Sequence, residues 1–140
     1  MQKTKACLNF LKLCKLKYYN WSLFHSIQPN FIAQAGDPTE TGKGGESVFV
    51  HDPTKKNTNS KYFLRETKPK IKHKKVGLIS MVDNGSQMHG SQFLITLAPN
   101  LDNLDMRCTV FGEIVDGIEN IDKLNEAVCN DQHRPLKDIR

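Results

Sequence analysis

Long apolar runs are missing from this chain. Nowhere do its 140 residues approach the ~20 consecutive apolar positions of a bilayer-spanning helix, which excludes a transmembrane reading and any membrane partner of that kind. Paired cysteines are missing as well. Cys7, Cys14, Cys108 and Cys129 form no C-x-x-C pair, and Cys7 and Cys14, on one predicted helix, would lie about 10 Å apart, too far to bridge. Reduced thiols in an intracellular protein are the simplest account. The histidines (25, 51, 73, 89 and 133) and the cysteines show no metal-ligand spacing, so no metal is expected. Gly36 to Gly44 does not fit a Walker A loop: five residues separate Gly36 from Gly42, and a glycine follows Lys43. No G-x-S-x-G elbow exists, and nothing in the sequence activates Cys108 or Cys129. Neither hydrolytic machinery nor a cofactor is expected.

Acid is absent from the start. The first carboxylate is Asp37, so residues 1–36 carry five lysines and no acid. This start lacks arginine and runs into Tyr18-Tyr19-Asn20-Trp21 without a cleavage-like break, so it reads as a mature helix rather than a presequence. What is present in excess is lysine between Lys55 and Lys75, where nine Lys or Arg face Glu66 alone; that +8 leaves −3 for the rest of a chain of net +5. Such a segment suits RNA or an acidic partner by charge, with Lys70, Lys72, Lys74 and Lys75 at its densest part, although a solvated loop insertion whose lysines serve solubility is the preferred account. The length and ordinary composition describe one domain, 1–140, with this basic insertion at about 51–76.

Cys7, Phe10, Leu11 and Cys14 recur at i, i+3, i+4 and i+7, predicting a helix over Thr4–Lys15 with that face on the core and Thr4 as N-cap. Residues 23–34 read as short strands broken at Pro29-Asn30, residues 35–45 as an irregular loop, and Val48-Phe49 as a short extended piece. Further strands are predicted at 77–82, 93–97 and 108–115. Asp83-Asn84-Gly85-Ser86 turns after the first of these, and 98–105 forms a polar loop. After Asp116-Gly117 a helix carries Ile118, Ile121, Leu124 and Val128 inward. Pro135 sits at a strand start or edge in a loop-like tail. The sum is a mainly β fold: an antiparallel sheet or barrel capped by two helices. Phe31, Ile32, Met81 and Leu94 beside the strand amides Gln34 and Gln92 suit an extended peptide and a proline ring, or ordinary barrel packing with satisfied glutamines.

Phe24 to Pro38, Gly42 to Ser47, Ser80 to Gly85, His89-Gly90-Ser91-Gln92-Phe93-Leu94-Ile95-Thr96 and Val110-Phe111-Gly112 together resemble the cyclophilins, the peptidyl-prolyl isomerase family, in order over nearly the whole chain. Ala6 to Lys15 and Ile71-Lys72-His73-Lys74-Lys75 are similar to the nuclear cyclophilin-like proteins that carry an RNA-recognition domain. The resemblance implies an eight-stranded antiparallel barrel with two capping helices. Matched to it, this chain is expected to lack the first two strands and the last strand, as a truncated domain. It implies binding of proline-containing peptides, a nuclear location with the cytoplasm as alternative, and an RNA-processing (spliceosome-like) setting. Residue by residue, Phe31, Gln34, Gln92, Leu104 and Met81 match the family site, with Gln34 among its catalytic residues, and Ile32 replaces a methionine. Leu94 stands for a phenylalanine, Cys108 for a histidine, and Asn103 for the tryptophan of cyclosporin binding, which is therefore expected to be weak. Val82, Asp83 and Asn84 hold the backbone-contact stretch, Asp83 replacing an asparagine. Ser26 stands at the catalytic arginine position. The implied activity is a weak isomerase; the alternative is a non-catalytic proline-peptide scaffold.

Overall fold

Chain reversal at Pro29-Asn30, where Asn30 takes a positive φ of 57°, turns one short extended segment back on another and starts the sheet. A computed structural model describes residues 4–51 and 61–140; Lys55, Lys56 and most of the proposed insertion's first half lie outside these. Helix α1 spans Thr4–Lys15. The strands are β1 (Ser26–Gln28), β2 (Ile32–Ala35), β3 (Phe63–Leu64), β4 (Leu78–Met81), β5 (Met88–His89), β6 (Phe93–Thr96) and β7 (Thr109–Glu113), and helix α2 spans Asn120–Asn125. Five strands form one sheet in the order β1-β2-β6-β4-β7, and β3 pairs with β5 in a second. All pairings are antiparallel.

The mainly β, two-helix architecture is the one expected. A closed barrel is not formed by the described strands: β1 and β7 are the ends of the ladder. The β1 end is nevertheless covered, since Ile27 N donates to His133 O at 2.8 Å and Phe24 N to Ile139 O at 2.9 Å.

Alternation along the strands separates two faces. On one face, Ile27, Ala33 and Leu97 pack with Ile121 of α2, while Met81 packs with Ala6 of α1 and Phe63. Phe10 of α1 adds ring contacts to Phe93 at 5.3 Å and Phe111 at 5.1 Å. The other face carries Ser26, Gln34, Leu94 and Ser80 as successive cross-strand partners in register.

Several local expectations are corrected. The buried stripe of α1 is Ala6, Asn9 and Leu13, whereas Leu11 and Cys14 are exposed. Asn9 is the reason: its amide donates to Gly90 O at 2.9 Å and accepts from Val48 N at 2.8 Å, so a polar residue occupies the inward turn. Thr4 belongs to the helix itself, and the first turn is served by Glu66, whose carboxylate accepts from Lys5 N (3.3 Å) and Ala6 N (2.8 Å). Val48–His51 is a 3-10 helix rather than an extended piece. In the second helical stretch only Ile121 is buried; Ile118 and Val128 face solvent. Pro135 sits in an isolated bridge opposite Cys129, in keeping with its edge placement.

Among the described residues the basic segment is anchored at two places, although its lysines face solvent. Phe63–Leu64 within it form β3, and His73, with no exposed surface, holds Asp105 Oδ1 through Nδ1 and Ser80 Oγ through Nε2, each at 2.8 Å. Burial of Asp105 opposes ionisation, but the hydrogen bonds from the His73 ring and amide prevail and hold its carboxyl below the usual carboxylate value. Ser80, His73 and Asp105 thus have the connectivity of a hydrolytic triad. Ser80 and His73 are fully buried, so no substrate carbonyl reaches the hydroxyl and the trio serves to pin the segment.

Candidate functional site

The register places Ser26 opposite Gln34 and Gln34 opposite Leu94. From this row Gln34 Nε2 donates to Gln92 Oε1 at 2.7 Å, and Gln92 Nε2 donates to Gly44 O at 2.8 Å. The two carboxamides, 58 positions apart in the chain, therefore point into a common cleft. A cavity of about 420 Å³ opens there, walled by Gln34, Gln92, Val82, Asp83, Asn84 and the 42–45 loop.

That loop is held by Asp37, which is fully buried. Its carboxylate accepts from Thr39 N at 2.8 Å, Thr39 Oγ1 at 2.7 Å and Gly44 N at 3.0 Å. Burial raises the Asp37 pKa, but these donors outweigh it and leave the carboxyl below its ordinary value. Gly36 and Gly45 have φ of +88° and +90°, and a Cβ at either would collide with Ser91. The glycines of this segment thus set a close approach of loop to strand, and not a phosphate cradle.

Backbone geometry along the cleft is partly committed. Val82 N donates to Gln92 O at 3.0 Å, and its carbonyl accepts from His89 Nδ1 at 2.9 Å, since a carbonyl only accepts. Burial lowers the pKa of His89, so the ring bridges to Thr109 Oγ1 at 2.8 Å as a neutral group. The Asp83 carboxylate accepts from Gly85 N (2.8 Å) and Gln87 N (3.1 Å), closing the turn.

The apolar residues named from the sequence are distributed differently. Ile32 and Leu94 lie on the Gln34 face but are buried, at 6% and 1% exposure, and Met81 is on the opposite face against Ala6. Phe31 is half-buried in the β1–β2 turn, with its amide on Gln28 O and its carbonyl accepting from Leu97 N. Asn103 is exposed and Leu104 half-buried in a 3-10 helix at Asp102–Leu104. Cys108 lines a separate crevice with Met106 and Val110, and burial pushes its thiol pKa up. Neither cavity touching Gln34 is walled by Phe31, Ile32, Met81, Leu94, Asn103, Leu104 or Cys108.

Ser26 does border a cavity. On its side of Gln34 a second hollow of about 300 Å³ is formed with His25, Glu40, Gln132 and Arg134. Glu40, Gln132 and Arg134 carry no local signal in the sequence, because only the crossing of the C-terminal segment beside β1 brings them there. His25 carried a signal in its place beside Ser26. Among the described residues no cluster of three His, Cys, Asp or Glu side chains is arranged to hold a metal, and no helix is long and apolar enough to cross a membrane.

The family model for cyclophilin type peptidyl-prolyl cis-trans isomerase/CLD matches residues 2–140. The chain is 51% identical over 139 residues to the peptidyl-prolyl cis-trans isomerase sig-7 of Caenorhabditis elegans, covering 99% of this chain and 32% of that protein. It is 52% identical over 139 residues to the human peptidyl-prolyl cis-trans isomerase-like 4, covering 99% and 28%. It thus spans about a third of the length of these relatives. Among solved structures, a cyclophilin type isomerase of Cryptosporidium parvum superposes with a TM-score of 0.84 at 36% identity, over 96% of this chain and 78% of that one. The same protein solved in the presence of the dipeptide Ala-Pro gives 0.83 at 36% identity, over 96% and 80%. With antiparallel strands in this order and the two carboxamides joined across one cleft, the chain belongs to the cyclophilin-type peptidyl-prolyl cis-trans isomerase family.

Proposed function

We propose that this domain binds proline-containing segments along the Gln34–Gln92 cleft and isomerises the prolyl bond slowly. The observation that carries this is the 2.7 Å bond between the two carboxamides at the junction of two cavities. Gln34 Oε1 accepts no hydrogen bond among the described residues, so it can take a peptide amide. Rotation about an X–Pro bond meets a barrier of roughly 18–20 kcal/mol and needs no nucleophile, metal or cofactor. It needs only a surface that holds the twisted amide better than either planar form. Phe31 and Leu104, half-buried, are the side chains left for apolar ring contact, while Ile32 and Leu94 support the site from within their packed face and Met81 lies behind the sheet. Val82 and Asp83 border the peptide path, whereas Asn103 and Cys108 lie outside its two cavities. Ser26, at the arginine position, lacks charge and reach, and losing one such donor costs about 10²–10³ in rate. Asn103 in place of the tryptophan makes cyclosporin a weak ligand.

A protease-coupled assay with an Ala-Pro tetrapeptide tests the reading. Acceleration that is small but proportional to protein concentration is expected, and rates equal to the uncatalysed reaction at micromolar protein overturn it.

A second reading, a proline-peptide scaffold in a nuclear RNA-processing assembly, is favoured by the basic segment that His73 anchors. Lys70 and Lys72 are exposed on it, whereas Lys74 and Lys75 already meet Asp102 at 3.4 Å and Glu113 at 3.1 Å. On this reading residues 1–140 act as one domain, with the insertion at about 51–76 as its contact surface. Replacing Lys70, Lys72, Lys74 and Lys75 with Ala should then weaken single-stranded RNA binding and reduce its salt dependence; unchanged binding removes the scaffold reading.

A further inference from the structure

The cavity on the Ser26 side of Gln34 holds an ion pair, Arg134 with Glu40 at 3.2 Å. Its walls include His25, Ser26, Gln34, Glu40 and Arg134. His25 is 7% exposed, and neither ring nitrogen has a partner among the described residues. Burial, helped by the neighbouring Arg134, outweighs Asp37 and Glu40 and lowers the pKa of His25. The ring is therefore neutral at pH 7, and the cation of the cavity is Arg134.

Arg134 is held there by its own backbone. Its N–H donates to Asn130 Oδ1 at 3.0 Å, and its carbonyl accepts from Asn130 N at 2.9 Å. The preceding His133 carbonyl accepts from Ile27 N on β1, which fixes the segment one strand away from the Ser26–Gln34 pair. The guanidinium is oriented by Glu40: Nη1 donates to its carbonyl at 2.7 Å and Nη2 to its carboxylate at 3.2 Å. A guanidinium has five N–H donors, so this anchoring leaves others free towards the cavity.

As a prolyl amide twists out of plane, resonance is lost and the lone pair localises on nitrogen. A fixed cationic donor beside it stabilises the twisted form and not the planar ones, which is the condition for acceleration. We propose that Arg134, reaching in from the C-terminal segment, supplies the charged donor for the twisted amide that Ser26 cannot. The assignment rests on the isomerase reading of the Gln34–Gln92 cleft. It moves the origin of the residual rate from the β1 strand to a residue more than a hundred positions later.

The test compares the unaltered chain with Arg134→Gln, Ser26→Arg/Arg134→Gln and, as a charge-matched control, Arg140→Gln. Each is assayed for isomerisation of an Ala-Pro tetrapeptide and for binding of the same peptide by NMR titration. Arg134→Gln is expected to lower kcat/KM about tenfold to a hundredfold with peptide affinity within twofold and Arg140→Gln unchanged. Adding Ser26→Arg should restore the rate, because the cation returns from the strand side. If the unaltered chain is active and Arg134→Gln equals it, the assignment to Arg134 is overturned while the isomerase reading stands. A loss that Ser26→Arg does not restore also overturns it, since the defect then lies in packing. Absence of any acceleration by the unaltered chain overturns both.

Discussion

Replacing His73 with Leu tests whether the basic segment is clamped to the sheet as the geometry requires. The imidazole is fully buried and joins two elements through bonds of 2.8 Å each, to Asp105 and to Ser80. Leucine fits the apolar outline but strands both partners. Asp105 keeps the His73 backbone amide at 2.9 Å and loses the ring; Ser80 Oγ loses its partner in a site without solvent. A hydrogen bond to a neutral group contributes about 0.5–1.5 kcal/mol and one to a charged group about 1.5–3 kcal/mol, so the variant should be less stable by about 2–4 kcal/mol. For a domain of this size that corresponds to a fall in Tm of about 8–15 °C. Urea unfolding followed by fluorescence and far-UV CD gives the number, provided the slope m is unchanged. A cycle with Ser80→Ala should return a coupling of about 0.5–3 kcal/mol. A loss under about 1 kcal/mol, or zero coupling, would refute the clamp and return the lysine run to the status of a free loop.

Gln92→Leu removes the acceptor for Gln34 and the donor to Gly44, and should weaken Ala-Pro peptide binding about tenfold; NMR titration within twofold of the unaltered chain contradicts the cleft assignment. Asp37 and Asp105 both have carboxyl pKa values depressed below 3.8 in the fold. Their stabilisation is therefore complete above the ordinary carboxylate value and disappears as pH falls through the lowered ones, so urea midpoints should hold to about pH 5 and drop below about pH 4. An Asp37→Asn/Asp105→Asn chain that keeps the full acid-induced drop would count against this. Glu66→Ala leaves the first-turn amides of Lys5 and Ala6 without their carboxylate and should cost about 1 kcal/mol, read as a Tm decrease of about 3 °C.

The legible parts of the fold were those with local causes. The strands at Ile32–Ala35, Leu78–Met81 and Phe93–Thr96 are short β-rich runs closed by Asn, Gly and Pro turns, and the 4–15 helix has the right period. Its face was misplaced because Asn9, the buried anchor to Gly90 and Val48, scores as polar in any hydrophobic pattern. Its cap was misplaced because Glu66 acts from sixty positions away. β3 and β5 have two residues each, too few to carry a period. The apolar spacing runs past the second helix, Asn120–Asn125, because Ile118 and Val128 keep the period while facing solvent.

Residue types and motif order alone were enough to indicate the family, the short strand runs and the two strand carboxamides, since each is a property of contiguous residues. Only the tertiary structure decided that Gln34 and Gln92 meet at 2.7 Å, that Ile32 and Leu94 lie sealed in their face, that His73 ties the lysines to Ser80, and that Arg134 shares a cavity with Ser26. The physical reason is common to all four: hydrogen bonds and burial depend on which distant segments cross, and strand register sets that crossing.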